Sequence, residues 1–172
     1  MPSEDEPMST RRLTRLALYT TIALAIFVIE AQIPLPVPVP GVKLGLSNIV
    51  TLAALYFLGR REAGLILAAR ILLGAFLIGR PSVLLFSGIG GLFALIVMAL
   101  AMKALPRNQI WAVSILGALA HNAGQLLMAA FLMRTFAVFA FGPALILSAI
   151  LTGCFTGLAA RFLLRYENWL RL

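Results

Sequence analysis

The residues able to do chemistry in this chain are few, and nearly all interrupt apolar sequence. Glu30, Lys43, Ser47, Asn48, Thr51, Arg70, Arg80, His121, Asn122 and Gln125 fall inside or at the edges of long apolar runs. Ser47 with Thr51, and His121 with Gln125, stand four apart, so each pair shares a helical face. In hydrocarbon such groups are expensive and turn toward a protein interior or a wet cavity. Four cations, Lys43, Arg70, Arg80 and Arg134, against one nearby carboxylate, Glu30, suit a small anionic or strongly hydrogen-bonding ligand. Plainer uses stay open for each. Arg80 and Arg134 can reach lipid headgroups, Arg70 can pair with Glu30, and His121, Asn122 and Gln125 can hydrogen-bond between helices.

Most catalytic chemistries lack their parts. The sequence has no glycine-rich loop ending in Gly-Lys-Ser/Thr, so it does not hold ATP in the P-loop manner. His121 is the only histidine and Cys154 the only cysteine, which excludes most zinc sites. The one aspartate, Asp5, lies in a polar leader, so no serine has a His/Asp pair to activate it. A binding or structural role is expected, with no metal and no cofactor.

The elements that must position these residues are membrane helices. The chain is 62% hydrophobic and 12% charged, with mean hydropathy +1.01; soluble domains are usually about 25% charged. Six apolar segments follow one another: Leu13–Ile33, Leu44–Leu58, Ala63–Gly79, Pro81–Met102, Gln109–Met133 and Pro143–Leu164. The expected organisation is an all-α integral membrane protein with a disordered tail over 1–12, a six-helix domain over 13–166 and a short tail over 167–172. Between the first two segments, Pro34, Pro36, Pro38 and Pro40 alternate with other residues, which forbids helix and predicts a stiff extended loop over 34–43. The second segment is the shortest, about 22 Å as a helix at 1.5 Å per residue, and could be re-entrant.

Charge placement favours six crossings. With the N-terminus inside, Arg11, Arg12, Arg15, Arg60, Arg61, Lys103, Arg107, Arg161, Arg165 and Arg171 fall on the cytoplasmic side, ten of the 14 Lys and Arg. Lys43, Arg80 and Arg134 fall outside, and Arg70 lies within the third helix. That bias obeys the positive-inside rule, and five crossings would largely erase it. The same rule explains the net charge of +8 without nucleic acid. Both termini are then cytoplasmic, and Trp111, Tyr166 and Trp169 fall near that interface, where amphipathic rings anchor. The polar set converges on the outer half, beneath the proline-rich loop, as a pocket open to the outside.

Small residues pack helices in lipid, where apolar burial supplies little drive. Ala149, Gly153 and Gly157 form a stripe in the sixth segment, and Ser87, Gly88, Gly90 and Gly91 a cluster in the fourth. Ala17, Thr21 and Ala25 form another in the first. Internal packing accounts for all three, although the first could instead dock a partner subunit.

Two blocks carry a family resemblance. Ile33-Pro34-Leu35-Pro36, followed by Pro40-Gly41-Val42-Lys43-Leu44-Gly45-Leu46-Ser47-Asn48, together with Gly117 to Gln125, resembles small bacterial membrane proteins of the Gx transporter family, often labelled heptaprenyl diphosphate synthase component I. More distantly the layout is similar to the substrate-binding S components of energy-coupling-factor vitamin transporters. That similarity implies a six-helix bundle in the bacterial cytoplasmic membrane that captures a polar or anionic small molecule from outside. It would dock a transmembrane coupling subunit, with ATPases in trans, through Ala17, Thr21 and Ala25. Thr21 stands where a small alanine is expected. The synthase label implies instead a prenyl diphosphate. Enzymes that act on one bridge magnesium with aspartate-rich clusters, and this chain has a single aspartate, Asp5, in its N-terminal tail, so under that label it is a non-catalytic accessory.

Overall fold

The computed structural model describes residues 9–33, 44–79 and 81–165. Within them the chain forms α1 (Thr10–Glu30), α2 (Asn48–Phe57), α3 (Arg60–Ile78), α4 (Pro81–Ala104), α5 (Ile110–Met133) and α6 (Gly142–Arg165). Single 3-10 turns, Arg107–Gln109 and Ala137–Phe141, lead into α5 and α6. The proline-rich loop, Lys43, Arg80, Tyr166, Trp169 and the C-terminal tail lie outside the described residues.

Element boundaries follow local chemistry. Ser9 caps α1, its side chain accepting from the Arg12 amide at 3.4 Å, so the helix takes in Thr10 to Arg12, which the sequence reading assigned to the tail. Pro81 opens α4, where its missing N–H costs nothing. Gly79 closes α3 in the left-handed conformation, φ 66°, a helix stop that glycine meets without strain. The second helix is ten residues against the fifteen expected. Gly45 at φ 80° turns the chain just before it, and Leu44 to Ser47 stay outside the helix.

Glycine contacts fix how the helices pack. A Cβ on Gly153 would sit 2.6 Å from Ile115 Cα, and one on Gly157 2.6 Å from Trp111 Cα, so α5 and α6 lie antiparallel at backbone contact. Likewise a Cβ on Gly124 of α5 would sit 3.0 Å from Gly90 Cα of α4, and Gly117 seats Met98. Gly91 of α4 meets Leu67 of α3, and Gly74 of α3 meets the Phe27 ring of α1. Apart from Gly88, the stripes in α4 and α6 therefore serve internal packing. Ser114 and Thr156 add a buried hydrogen bond of 2.8 Å between α5 and α6.

Two ends of the bundle emerge. At one, Arg12 of α1 and Glu62 of α3 pair at 2.9 Å, and Phe57 and Leu58 line a cleft with Arg12 and Arg15. At the other, Glu30 meets Gly45 and Ser47. Leu44 to Leu58 thus runs from the Glu30 end to the Arg12 end, antiparallel to α1. The large apolar side chains that remain exposed, among them Leu72, Phe76, Leu100, Phe131, Leu151 and Phe155, point outward from the helices. Among the described residues, four segments are long and apolar enough to cross a membrane: Thr10–Glu30, Pro81–Ala104, Arg107–Met133 and Ala137–Phe162. Too short is α2, at about 15 Å, and α3 carries Arg60, Arg61, Glu62 and Arg70.

The contacts predict a sharp contrast between glycines. Gly157→Leu forces a side chain into the α5 backbone and should cost about 1–3 kcal/mol or more. Gly88→Ala, whose Cβ meets nothing within 4 Å, should leave stability unchanged or raise it. Thermal unfolding of the detergent-solubilised variants, followed by size-exclusion fluorescence, separates the two.

Candidate functional site

Sequence-distant polar residues meet in one buried cluster. Glu30 ends α1, Ser47, Asn48 and Thr51 open α2, Arg70 stands midway along α3, and His121 and Gln125 face inward from α5. None of these side chains exceeds 7% exposure, and Arg70 is 1% exposed, so the group is packed inside the bundle. The outward-open pocket expected from the sequence would lie beneath the 34–43 loop. The loop expected to cover it is outside the described residues.

Each contact has a physical reason. The first amides of a helix lack intrahelical acceptors. At α2 those of Asn48, Ile49 and Val50 bond back to the carbonyls of Gly45, Leu46 and Ser47, and the Glu30 carboxylate holds the turn that leads in, accepting the Gly45 N–H and, at 3.3 Å, the Ser47 N–H. Its negative charge also suits the positive end of the helix dipole. That leaves the Ser47 hydroxyl free of capping duty, and Arg70 Nη1 donates to it at 2.7 Å. The anticipated Glu30–Arg70 ion pair is therefore indirect, relayed through Ser47. The Arg70 guanidinium also lies over the Phe27 ring, 5.4 Å from its centroid, where the ring quadrupole attracts a cation. Phe27 was not singled out from sequence. Its spacing three before Glu30, on the same face of α1, was the available signal.

Glycines set the far wall. Gly45 leaves the Asn48 amide and the His121 ring side by side, since a Cβ there would fall 3.0 Å from Asn48 Nδ2 and 3.1 Å from His121 Cδ2. Gly90 makes room for His121 and Gln125, and Gly91 lies by Arg70 Nη2. Among the described residues, both polar atoms of the Asn48 side chain, and Nε and Nη2 of Arg70, are buried without hydrogen-bond partners. Leaving such groups unmatched in an apolar interior is costly, so the cluster retains capacity to bind.

Asn122 does not join this cluster. It turns to α6, where Nδ2 donates to the Leu145 carbonyl at 2.9 Å. The stripe on α1 also behaves differently from those on α4 and α6. Ala17, Thr21 and Ala25 are exposed, while Ala23, Phe27 and Glu30 carry the buried face. Internal packing, the simpler expectation, does not account for it.

This arrangement defines a helical membrane protein with a buried, charge-bearing polar core. A family model of heptaprenyl diphosphate synthase component I matches residues 19–163, and the chain belongs to that family. No curated protein and no solved structure matches the chain.

A double-mutant cycle tests the relay. Arg70→Met should destabilise by about 3–5 kcal/mol, because it strands the buried Glu30 carboxylate near an unpaired hydroxyl. Ser47→Ala alone should cost less. Their coupling should fall within about 0.5–3 kcal/mol, as for residues in direct contact; purely additive effects would contradict the relay.

Proposed function

We propose that this chain is the non-catalytic, membrane-embedded component of a polyprenyl diphosphate synthase, acting with a catalytic subunit in trans. The observation that carries this reading is family membership across residues 19–163. The catalytic role belongs to the partner on chemical grounds. A diphosphate held through magnesium needs clustered carboxylates, and here the only aspartate is Asp5, while Glu30 is committed to the start of α2. What the chain contributes is a hydrocarbon setting for a long apolar product and a cationic end for its partner.

In this reading the bundle crosses a bacterial inner membrane six times over 13–166, with both termini cytoplasmic. The course of Leu44–Leu58 from one end of the bundle to the other supports the second crossing. Orientation is supported by cations at the Arg12–Glu62 end, where Arg11, Arg12, Arg15, Arg60, Arg61, Lys103 and Arg107 gather.

Two observations favour a second reading, a capture subunit of an uptake system similar to the S components of energy-coupling-factor transporters. The unmatched Asn48 amide and Arg70 N–H groups suit a polar or anionic ligand held by Ser47, Asn48, Thr51, Arg70, His121 and Gln125. The exposed Ala17, Thr21 and Ala25 stripe suits a coupling subunit that works with ATPases.

Affinity purification from the native membrane, with partners identified by mass spectrometry, decides between them. The synthase reading expects a co-purifying subunit rich in aspartate clusters, and deletion should shorten or abolish the prenyl tails of membrane quinones. A coupling subunit with ATPases, together with an uptake defect and unchanged tails, would replace it with the second.

A further inference from the structure

The end of the bundle opposite Glu30 holds a cleft of about 170 Å³ between the start of α1, the end of α2 and the start of α3. Arg12, Arg15 and Leu16 come from the first, Phe57 and Leu58 from the second, and Glu62 from the third. Its charged groups are open to a ligand. The Arg12 side chain is 43% exposed and that of Glu62 22%, and Arg15 is exposed as well. Arg12 gives Nη2 to the Glu62 carboxylate at 2.9 Å, which leaves the other donors of its fork. Arg15 has no carboxylate partner among the described residues. Arg11 precedes Arg12, and Arg60 and Arg61 precede Glu62, so further cations flank the lining on both helices. Membrane topology accounts for cations at this end, but not for a cleft between them.

Charge and polarity together define the class of ligand. Arg12, Arg15 and Glu62 leave one net positive charge on the lining, the complement of a monoanion. A diphosphate or a phosphate dianion would bring excess negative charge against Glu62. Leu16, Phe57 and Leu58 form apolar walls, which favour carbon substituents on the anion. A phosphodiester has both properties, and arginine forks match its oxygens. The space equals about five or six waters at ~30 Å³ each, room for the phosphate and adjoining glycerol carbons. The first two turns of α1 build one wall, and α1 is long and apolar enough to cross a membrane. The cleft therefore stands at the depth of lipid headgroups.

We propose that this cleft binds the phosphodiester of an anionic glycerophospholipid. Arg15 and the free donors of Arg12 hold the phosphate oxygens, and Glu62 competes with the lipid for Arg12. The site goes beyond both readings of the function and needs neither.

The test is native mass spectrometry of the full chain in dodecyl maltoside. The protein is titrated with palmitoyl-oleoyl phosphatidylglycerol or with the phosphatidylcholine of the same chains. Phosphatidylglycerol should bind roughly tenfold or more tightly, because choline brings a cation to a rim of arginines. Arg15→Gln should remove most of that preference. Lys103→Gln makes the same charge change at the same end of the bundle but off the lining, and should leave the preference nearly intact. Glu62→Gln releases Arg12 and should tighten phosphatidylglycerol binding several-fold, a gain that misfolding cannot produce. Ammonium phosphate in place of ammonium acetate, at equal ionic strength, should not displace the lipid. Equal binding of the two lipids, equal losses in Arg15→Gln and Lys103→Gln, weaker binding in Glu62→Gln, or displacement by inorganic phosphate would overturn the proposal.

Discussion

A buried guanidinium sets the terms for this fold. Arg70 sits midway along α3 with almost no exposure, and a charge in that position must be matched from within the protein. The match comes from three groups on two elements: the Ser47 hydroxyl at the start of α2, and the Glu30 carboxylate, one step beyond it, with the Phe27 ring, both of α1. Because Glu30 also accepts from the amides of the turn that leads into α2, one carboxylate both balances the charge and fixes where a helix starts. The positions of α1, α2 and α3 are tied through those few atoms. A short helix that would otherwise be loosely held gains a fixed origin.

The second half of the bundle is held by different physics. Between α4, α5 and α6 the glycines at 90, 124, 153 and 157 bring neighbouring helices to backbone contact, and Gly117 makes room for the Met98 side chain. Dispersion over closely fitted surfaces replaces the hydrophobic drive that lipid does not supply. Polar groups there act singly, as in the Ser114–Thr156 bond and the Asn122 contact to Leu145. One half thus concentrates charge and hydrogen bonds, and the other relies on close packing.

How much of this could be read from the sequence depended on the scale of each signal. The helices α4 to α6 were legible because long apolar runs end at Pro81, Arg107 and Gly142-Pro143, where local chemistry dictates a boundary. That Glu30, Ser47, Asn48, Arg70, His121 and Gln125 would be inward was legible because hydrocarbon gives polar groups no cheaper place. Which of them touch was not. Asn122 follows His121 directly, but one residue rotates a helix by about 100°, and that rotation carries it to α6. The indirect Glu30–Arg70 link was hidden because it depends on the Gly45 turn, a backbone event. The outward turn of Ala17, Thr21 and Ala25 was hidden too, since a small-residue stripe reads alike whether it packs inside or waits for a partner.

The most direct test of the central claim is synthesis in a reconstituted membrane. The catalytic partner would be assayed in proteoliposomes with and without this chain, and prenyl diphosphate products resolved by length. A non-catalytic membrane component predicts no product from this chain alone and full-length prenyl product only when both are present. An identical product distribution with and without the chain would contradict that role.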